Sequence, residues 1–200
     1  VATETKAGPA PATYNDLVDK AQARASERLG KLATDYREGR IKYEPFVAAF
    51  KAELTESVRL GHKLGIAQAK RVYPPWSYSI TSAERAAADN IVGKQLDYFL
   101  GFRGDIRKLE ALGPLSTAID ARAAMYGGSV RWAAEEAKIQ TDGDKLLVWI
   151  RHAGDSCVTC IANDGKKQTA RQWKEGGVWP GHATACLTNC RCSLDPVEAT

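Results

Sequence analysis

All five cysteines of this 200-residue chain fall between Cys157 and Cys192, and the first 156 residues contain none. Read in order they give Cys157-Val-Thr-Cys160, then a long loop, then Cys186-Leu-Thr-Asn-Cys190-Arg-Cys192, with His182 between the groups. A Cys-x-x-Cys knuckle facing a second cysteine cluster across such a loop has the spacing of a structural zinc site. The metal needs four soft or borderline ligands in a tetrahedron, and each close pair supplies one edge. Cys157, Cys160, Cys190 and Cys192 make the most economical set. Cys186 or His182 can replace one of the last two, since only four of these six groups bind at once.

Two other uses of clustered cysteines fit less well. A disulfide framework suits a secreted miniprotein, but five is odd and most of the chain has no cysteine. A redox Cys-x-x-Cys has an apolar run before it, Leu146 to Ile150, yet the alternating strands and helices of a thioredoxin-like unit are missing upstream. The segment Val1 to Pro11 has no apolar core of a signal peptide, so thiols made in a reducing cytosol are expected.

Upstream of Lys138 the pattern is helical. Residues 1–12 read as a flexible Ala/Pro/Thr arm. Thr13, with Asp16 three residues on, caps a helix whose stripe runs Leu17, Val18, Ala21, Ala25, Leu29, Leu32 and Tyr36. Gly39 ends it. Pro45 sits in the first turn of a second helix carrying Phe46, Val47, Phe50, Leu54, Val58 and Leu64, and the pair should form a hairpin. After the Pro74-Pro75-Trp76 break, Thr81 and Glu84 cap a third helix with Ala88, Ile91, Val92, Leu96, Phe99 and Leu100. Gly101 and Gly104 are candidate interruptions. Ser116 is expected to cap a fourth, carrying Ile119, Ala123, Tyr126, Val130 and Ala134, in which Gly127-Gly128 predicts close packing, a kink or a break.

The texture then changes. Gln140 to Lys145 reads as a polar turn and Leu146 to Ile150 as a strand. Asp164-Gly165 reads as a hairpin turn and Trp173 to Gly181 as a loop. The apolar anchors there are few: Trp149, Ile161, Trp173, Trp179, Leu187 and Leu194. A unit so small rarely folds on its core alone, which makes a metal a plausible source of its stability. The expected architecture is mainly α: an arm at 1–12, two helical hairpins at 13–138, and a small cysteine-rich, zinc-binding α+β module at 144–196.

Trp149, Asp155, Cys157, Cys160, Asp164, Gly165, Pro180, Gly181, Cys190, Arg191, Cys192 and Leu194 together resemble the C-terminal module of tailed-phage minor head proteins, the head morphogenesis family. Gly39-Arg40-Ile41 before an aromatic helix with His62, and Ala121 to Tyr126, are similar to its upstream helices. The resemblance covers most of the chain, but only the cysteine module is specific. That family commonly has His-Pro-x-Cys-Arg-Cys, whereas seven residues separate His182 from Cys190 here. The departure favours Cys186 over His182 as the alternate ligand. The resemblance implies a virion component, made in the host cytoplasm and present in multiple copies per particle. Its implied partners are the portal or the major capsid protein, and packaged DNA non-specifically.

Catalysis is not expected. Cys157 with His152 or His182 is the only conceivable nucleophile–base pair, and ligation would consume the thiolate. His62 falls midway along a helix, where a solvated or core histidine is the ordinary case. No phosphate loop or dinucleotide fingerprint appears. A zinc knuckle for nucleic acid is the rival reading, from Lys166, Lys167, Arg171, Lys174 and Arg191 around exposed-looking tryptophans. The same region carries Asp155, Asp164, Glu175 and Asp195, and the net charge of +4 is small. No apolar run approaches the ~18 residues of a membrane helix.

Overall fold

The computed structural model describes residues 13–152, 156–186 and 190–197. The expected arm, Asp155 and Leu187 lie outside them.

Helix α1 (Tyr14–Arg37) starts at the anticipated capping box, with Thr13 accepting from the Asp16 amide and Asp16 accepting from the Thr13 amide. It ends at a turn in which Gly39 takes φ +73°, a conformation glycine adopts without steric cost. Helix α2 (Tyr43–Ala69) folds back on α1, and the turn is locked by Tyr36 stacked on Phe46 with centroids 4.9 Å apart. Helix α3 (Ser82–Leu112) opens on the Thr81–Glu84 capping box and runs straight through Gly101 and Gly104, which face open space. With nothing packed against them, these glycines lower helicity without breaking it.

Helix α4 (Ala118–Met125) has Thr117 rather than Ser116 at its cap, and Ser116 Oγ accepts from the Ala118 amide at 3.3 Å. A short 3-10 turn, Tyr126–Gly128, then re-aims the chain into α5 (Ser129–Asp142). The expected single helix is therefore two, and the double glycine is the reason. A Cβ on Gly127 would sit 2.1 Å from Ser26 Oγ, so this turn lies directly on α1. Helix α5 also runs past Lys138 into the segment expected as a polar turn.

Packing centres on α2. It carries α3 on one side and α5 on another, and α4 lies on α1. The α2–α5 contact is backbone to backbone: a Cβ on Gly61 or Gly65 would fall 2.1 Å from the carbonyl oxygens of Val130 and Ala134. Helices α3 and α4 meet at Arg122, whose guanidinium lies over Phe102 and 2.8 Å from Asp105. Phe46, Phe50, Phe99 and Phe102 fill the space between the helices, with Phe50 and Phe99 stacked at 4.3 Å.

The remaining chain forms a three-stranded antiparallel sheet, β2-β1-β3, from β1 (Leu146–Ile150), β2 (Lys167–Thr169) and β3 (Ser193–Pro196). Alternation along β1 puts Leu147 and Trp149 fully inside, and they join the same buried cluster as the helical phenylalanines. Two expectations are corrected here. Asp164-Gly165 does not join two strands: it turns helix α6 (Val158–Asn163) into β2. The stretch from Trp173 is not all loop, because α7 (Ala170–Gly176) starts on a Thr169–Gln172 capping box that outweighs the downstream glycines. Among the described residues no helix is long and apolar enough to cross a membrane.

Candidate metal centre

Cys157 is the N-cap residue of α6, and Cys160 follows within its first turn. That spacing places both thiols on one face of the helix, with Sγ atoms 3.5 Å apart. The loop after His182 brings in Cys186, tied down by the Ala185 amide donating to Thr159 Oγ1 at 3.2 Å. Its sulfur lies 3.4 Å from Cys157 and 3.7 Å from Cys160. Cys190 and Cys192 lead into β3, and Cys190 Sγ stands 3.5 Å from Cys160 Sγ.

These separations decide between crosslink chemistries. A disulfide needs sulfurs about 2.05 Å apart, and all five thiols are free. A tetrahedral ion with metal–sulfur bonds of about 2.3 Å has edges of about 3.8 Å, close to the 3.4–3.7 Å found. The donor set therefore fits a thiophilic metal ion. The five thiols fall into two triads, Cys157–Cys160–Cys186 and Cys160–Cys190–Cys192, which share Cys160. The economical set of Cys157, Cys160, Cys190 and Cys192 thus draws on both triads. Cys186 is no remote spare, since it is the closest thiol to Cys157.

The thiols are electrostatically unequal. Hydrogen bonding from Cys190 outweighs burial at Cys192 and brings it down to about 6. Burial opposes ionisation at Cys157, but hydrogen bonds from Cys160 and Cys186 prevail and lower it to about 7. Burial first, then its neighbours, pushes the Cys160 thiol up; the Cys192 thiolate and burial push Cys190 up. Each triad thus contains one group that ionises readily, and a bound cation would draw the protons off the others. Cys160, Cys190 and Cys192 are shut off from solvent. A sulfur-rich donor set is the structural type of metal site.

His182 does not enter either triad. It stacks on Trp179 at 3.9 Å, and its Nδ1 faces the Gly177 carbonyl at 3.0 Å. His152 pairs instead with Ser193 Oγ at 2.7 Å. Neither imidazole is bonded to Cys157. The tryptophans expected at the surface are buried: Trp149, Trp173 and Trp179 are all in the core, leaving no stacking platform among the exposed Lys166, Lys167, Arg171, Lys174 and Arg191.

A row of charged residues on α5 supports the site, and apolar periodicity passed over it. Leu194 faces Trp149 across the β1–β3 pair with its own N–H and C=O turned outward, away from β1. Glu135 accepts from the Leu194 amide at 2.9 Å, Lys138 donates to the Leu194 carbonyl at 2.7 Å, and Arg131 donates to the Cys192 carbonyl at 3.5 Å. The helix thereby stands in for a missing fourth strand. Arg131 also pairs with Asp19 of α1, and Lys138 with Glu135 at 2.8 Å. The sequence signal was present: Arg131, Glu135 and Lys138 recur at helical spacing on the side of α5 that faces inward.

No protein-family model, curated protein or solved structure matches the chain. The molecule is, on its own geometry, a mainly helical protein with a cysteine cluster able to hold a metal ion.

Proposed function

We propose that this chain is a structural component of a tailed-phage head, a minor head protein whose cysteine cluster holds one zinc ion. The observation that carries the structural part is the all-thiol cluster, two triads sharing Cys160 that link α6, the Cys186 loop and the approach to β3. Zinc would be held by four of Cys157, Cys160, Cys186, Cys190 and Cys192. Held by four thiolates, it would supply a redox-inert crosslink with no open position for substrate. Burial of three of the five thiols supports a non-catalytic role, and among the described residues His152 and His182 pair with Ser193 and the Gly177 carbonyl rather than with a thiol.

The virion assignment rests on the residues resembling the head morphogenesis module. They include the Pro180-Gly181 turn and the Cys190-Arg191-Cys192 approach to Leu194. Portal or major capsid protein are the partners this reading assigns, with non-specific contact to packaged DNA. The test is peptide mass spectrometry with zinc determination on gradient-purified particles. A stable signal well below that of the major shell protein, with zinc in proportion, supports the assignment. Absence from particles while the protein is abundant in the lysate overturns it.

A further inference from the structure

The cysteine cluster has an inner and an outer part. Cys160, Cys190 and Cys192 are 1–2% exposed, whereas Cys157 and Cys186 are only partly buried. Val158 and Ile161 of the same helix, α6, are 75% and 55% exposed, so its outer side faces water. The sulfurs of the two outer cysteines lie 3.4 Å apart.

That pair matters to any tetrahedral ion held by the cluster. Such an ion takes four thiolates, and any four of the five include Cys157 or Cys186, because there are only three others. A bond between the two outer sulfurs removes at least one ligand, whichever four are used. It leaves Cys160, Cys190 and Cys192, which are a triad of their own. Zinc itself has no redox chemistry, but thiolates do, and ligation keeps them in that reactive form.

The chain keeps the two outer sulfurs together by contacts other than the metal. The Ala185 amide donates to Thr159 Oγ1 at 3.2 Å, which ties the Cys186 loop to α6. Closing 3.4 Å to a disulfide length of about 2.05 Å takes about 1.3 Å of movement. Cys160 is nearly as close to Cys157, at 3.5 Å, but it also lies 3.7 Å from Cys186 and 3.5 Å from Cys190. Buried among these neighbours, it approaches one only by leaving the others. Strand β3 is held separately, by Glu135 and Lys138 on Leu194, so loss of the metal does not release it.

We propose that Cys157 and Cys186 form a peroxide-sensitive dithiol, whose reversible disulfide ejects the metal from the site. The Cys157 thiolate attacks one oxygen of hydrogen peroxide, the O–O bond breaks, and hydroxide leaves a sulfenic acid behind. The Cys186 thiolate then attacks that sulfur, the S–O bond breaks, and a second hydroxide leaves with the electron pair. Two thiolates are oxidised to one disulfide, and one peroxide is reduced to two hydroxides, which take up protons as water. The loss of metal rests on the zinc reading; the pairing of the two sulfurs does not.

The experiment treats the full-length, zinc-loaded protein with hydrogen peroxide, blocks the remaining thiols with iodoacetamide and maps the crosslinked peptides by mass spectrometry. The expected product is a Cys157–Cys186 crosslink, with zinc released to a chromogenic chelator in step with it. Dithiothreitol should restore both thiols. A Cys157–Cys160 crosslink as the main product, a crosslink among the three buried thiols, or none at millimolar peroxide overturns the proposal. So does a Cys157–Cys186 crosslink that keeps its zinc. This mapping needs no variant. Cys186→Ser should form no crosslink under the same conditions, and one that forms as readily as in the parent protein overturns the proposal too. If the purified protein holds no zinc, the zinc reading fails, and the same mapping on the metal-free chain still decides the pairing.

Discussion

Lys138 Nζ donates to the Leu194 carbonyl at 2.7 Å, and both residues are wholly out of solvent. Glu135 closes the ring, 2.8 Å from the ammonium and 2.9 Å from the Leu194 amide. An ion pair and a peptide group thus satisfy each other between helix and strand. Lys138→Met would leave the Glu135 charge buried without its cation. The expected loss is about 3–5 kcal/mol in urea unfolding. A loss below about 1 kcal/mol would mean that the carboxylate finds water or another donor.

Glycines on helices should respond in opposite directions. Gly61→Ala and Gly65→Ala push a methyl into the α5 backbone, and each should cost about 1–3 kcal/mol or more by overpacking. Gly93→Ala on α3 meets nothing, so it should stabilise by up to about 1 kcal/mol. Thermal unfolding of the three variants checks the contrast. Equal shifts would contradict the close α2–α5 approach.

His62 is buried, neither of its ring nitrogens has a hydrogen-bond partner, and burial holds its pKa below the usual histidine value. Its unfolded pKa is about 6.5. A depressed folded value means that the unfolded chain takes up the proton first, so stability falls as pH drops below about 6.5. His62→Leu should flatten that part of the profile. Denaturant titrations between neutral and mildly acidic pH read it directly, and parallel slopes for the two proteins would exclude His62 as the source.

Cys160 is the thiol that both triads share. Cys160→Ser should abolish zinc retention through gel filtration, whereas Cys186→Ser and Cys192→Ser should each keep a weakened site. Far-UV circular dichroism should keep most of its helical signal, because α1, α2 and α3 are the longest helices and contain no ligand thiol. Full zinc stoichiometry in Cys160→Ser would remove the shared thiol from the ligand set.

Much of this architecture was written locally. Thr13 with Asp16 and Thr81 with Glu84 announce two helix starts, and both boxes form. Leu146 to Ile150 is the expected strand, and the cysteine spacing located the cluster. What stayed hidden depends on partners distant in sequence. Gly61 and Gly65 are unremarkable until Val130 and Ala134 arrive against them. Arg131, Glu135 and Lys138 look like a solvated face until Cys192 and Leu194 cover them. The tryptophans near Cys157 resemble a binding surface only while the helices that bury them are ignored. Thr169 with Gln172 is the local signal that was passed over, masked by the glycines of the following loop.

The α5–β3 contact also imposes an order in time. Lys138 leaves the ribosome 56 residues before Leu194, so its ammonium must stay hydrated until the strand is synthesised. During that interval the inward side of α5 has no strand to bond with. The thiols at 157 and 160 are made first, and those at 190 and 192 arrive with the strand. Capture of a metal would then coincide with the last step of burial, making the finished core a record that synthesis had reached β3.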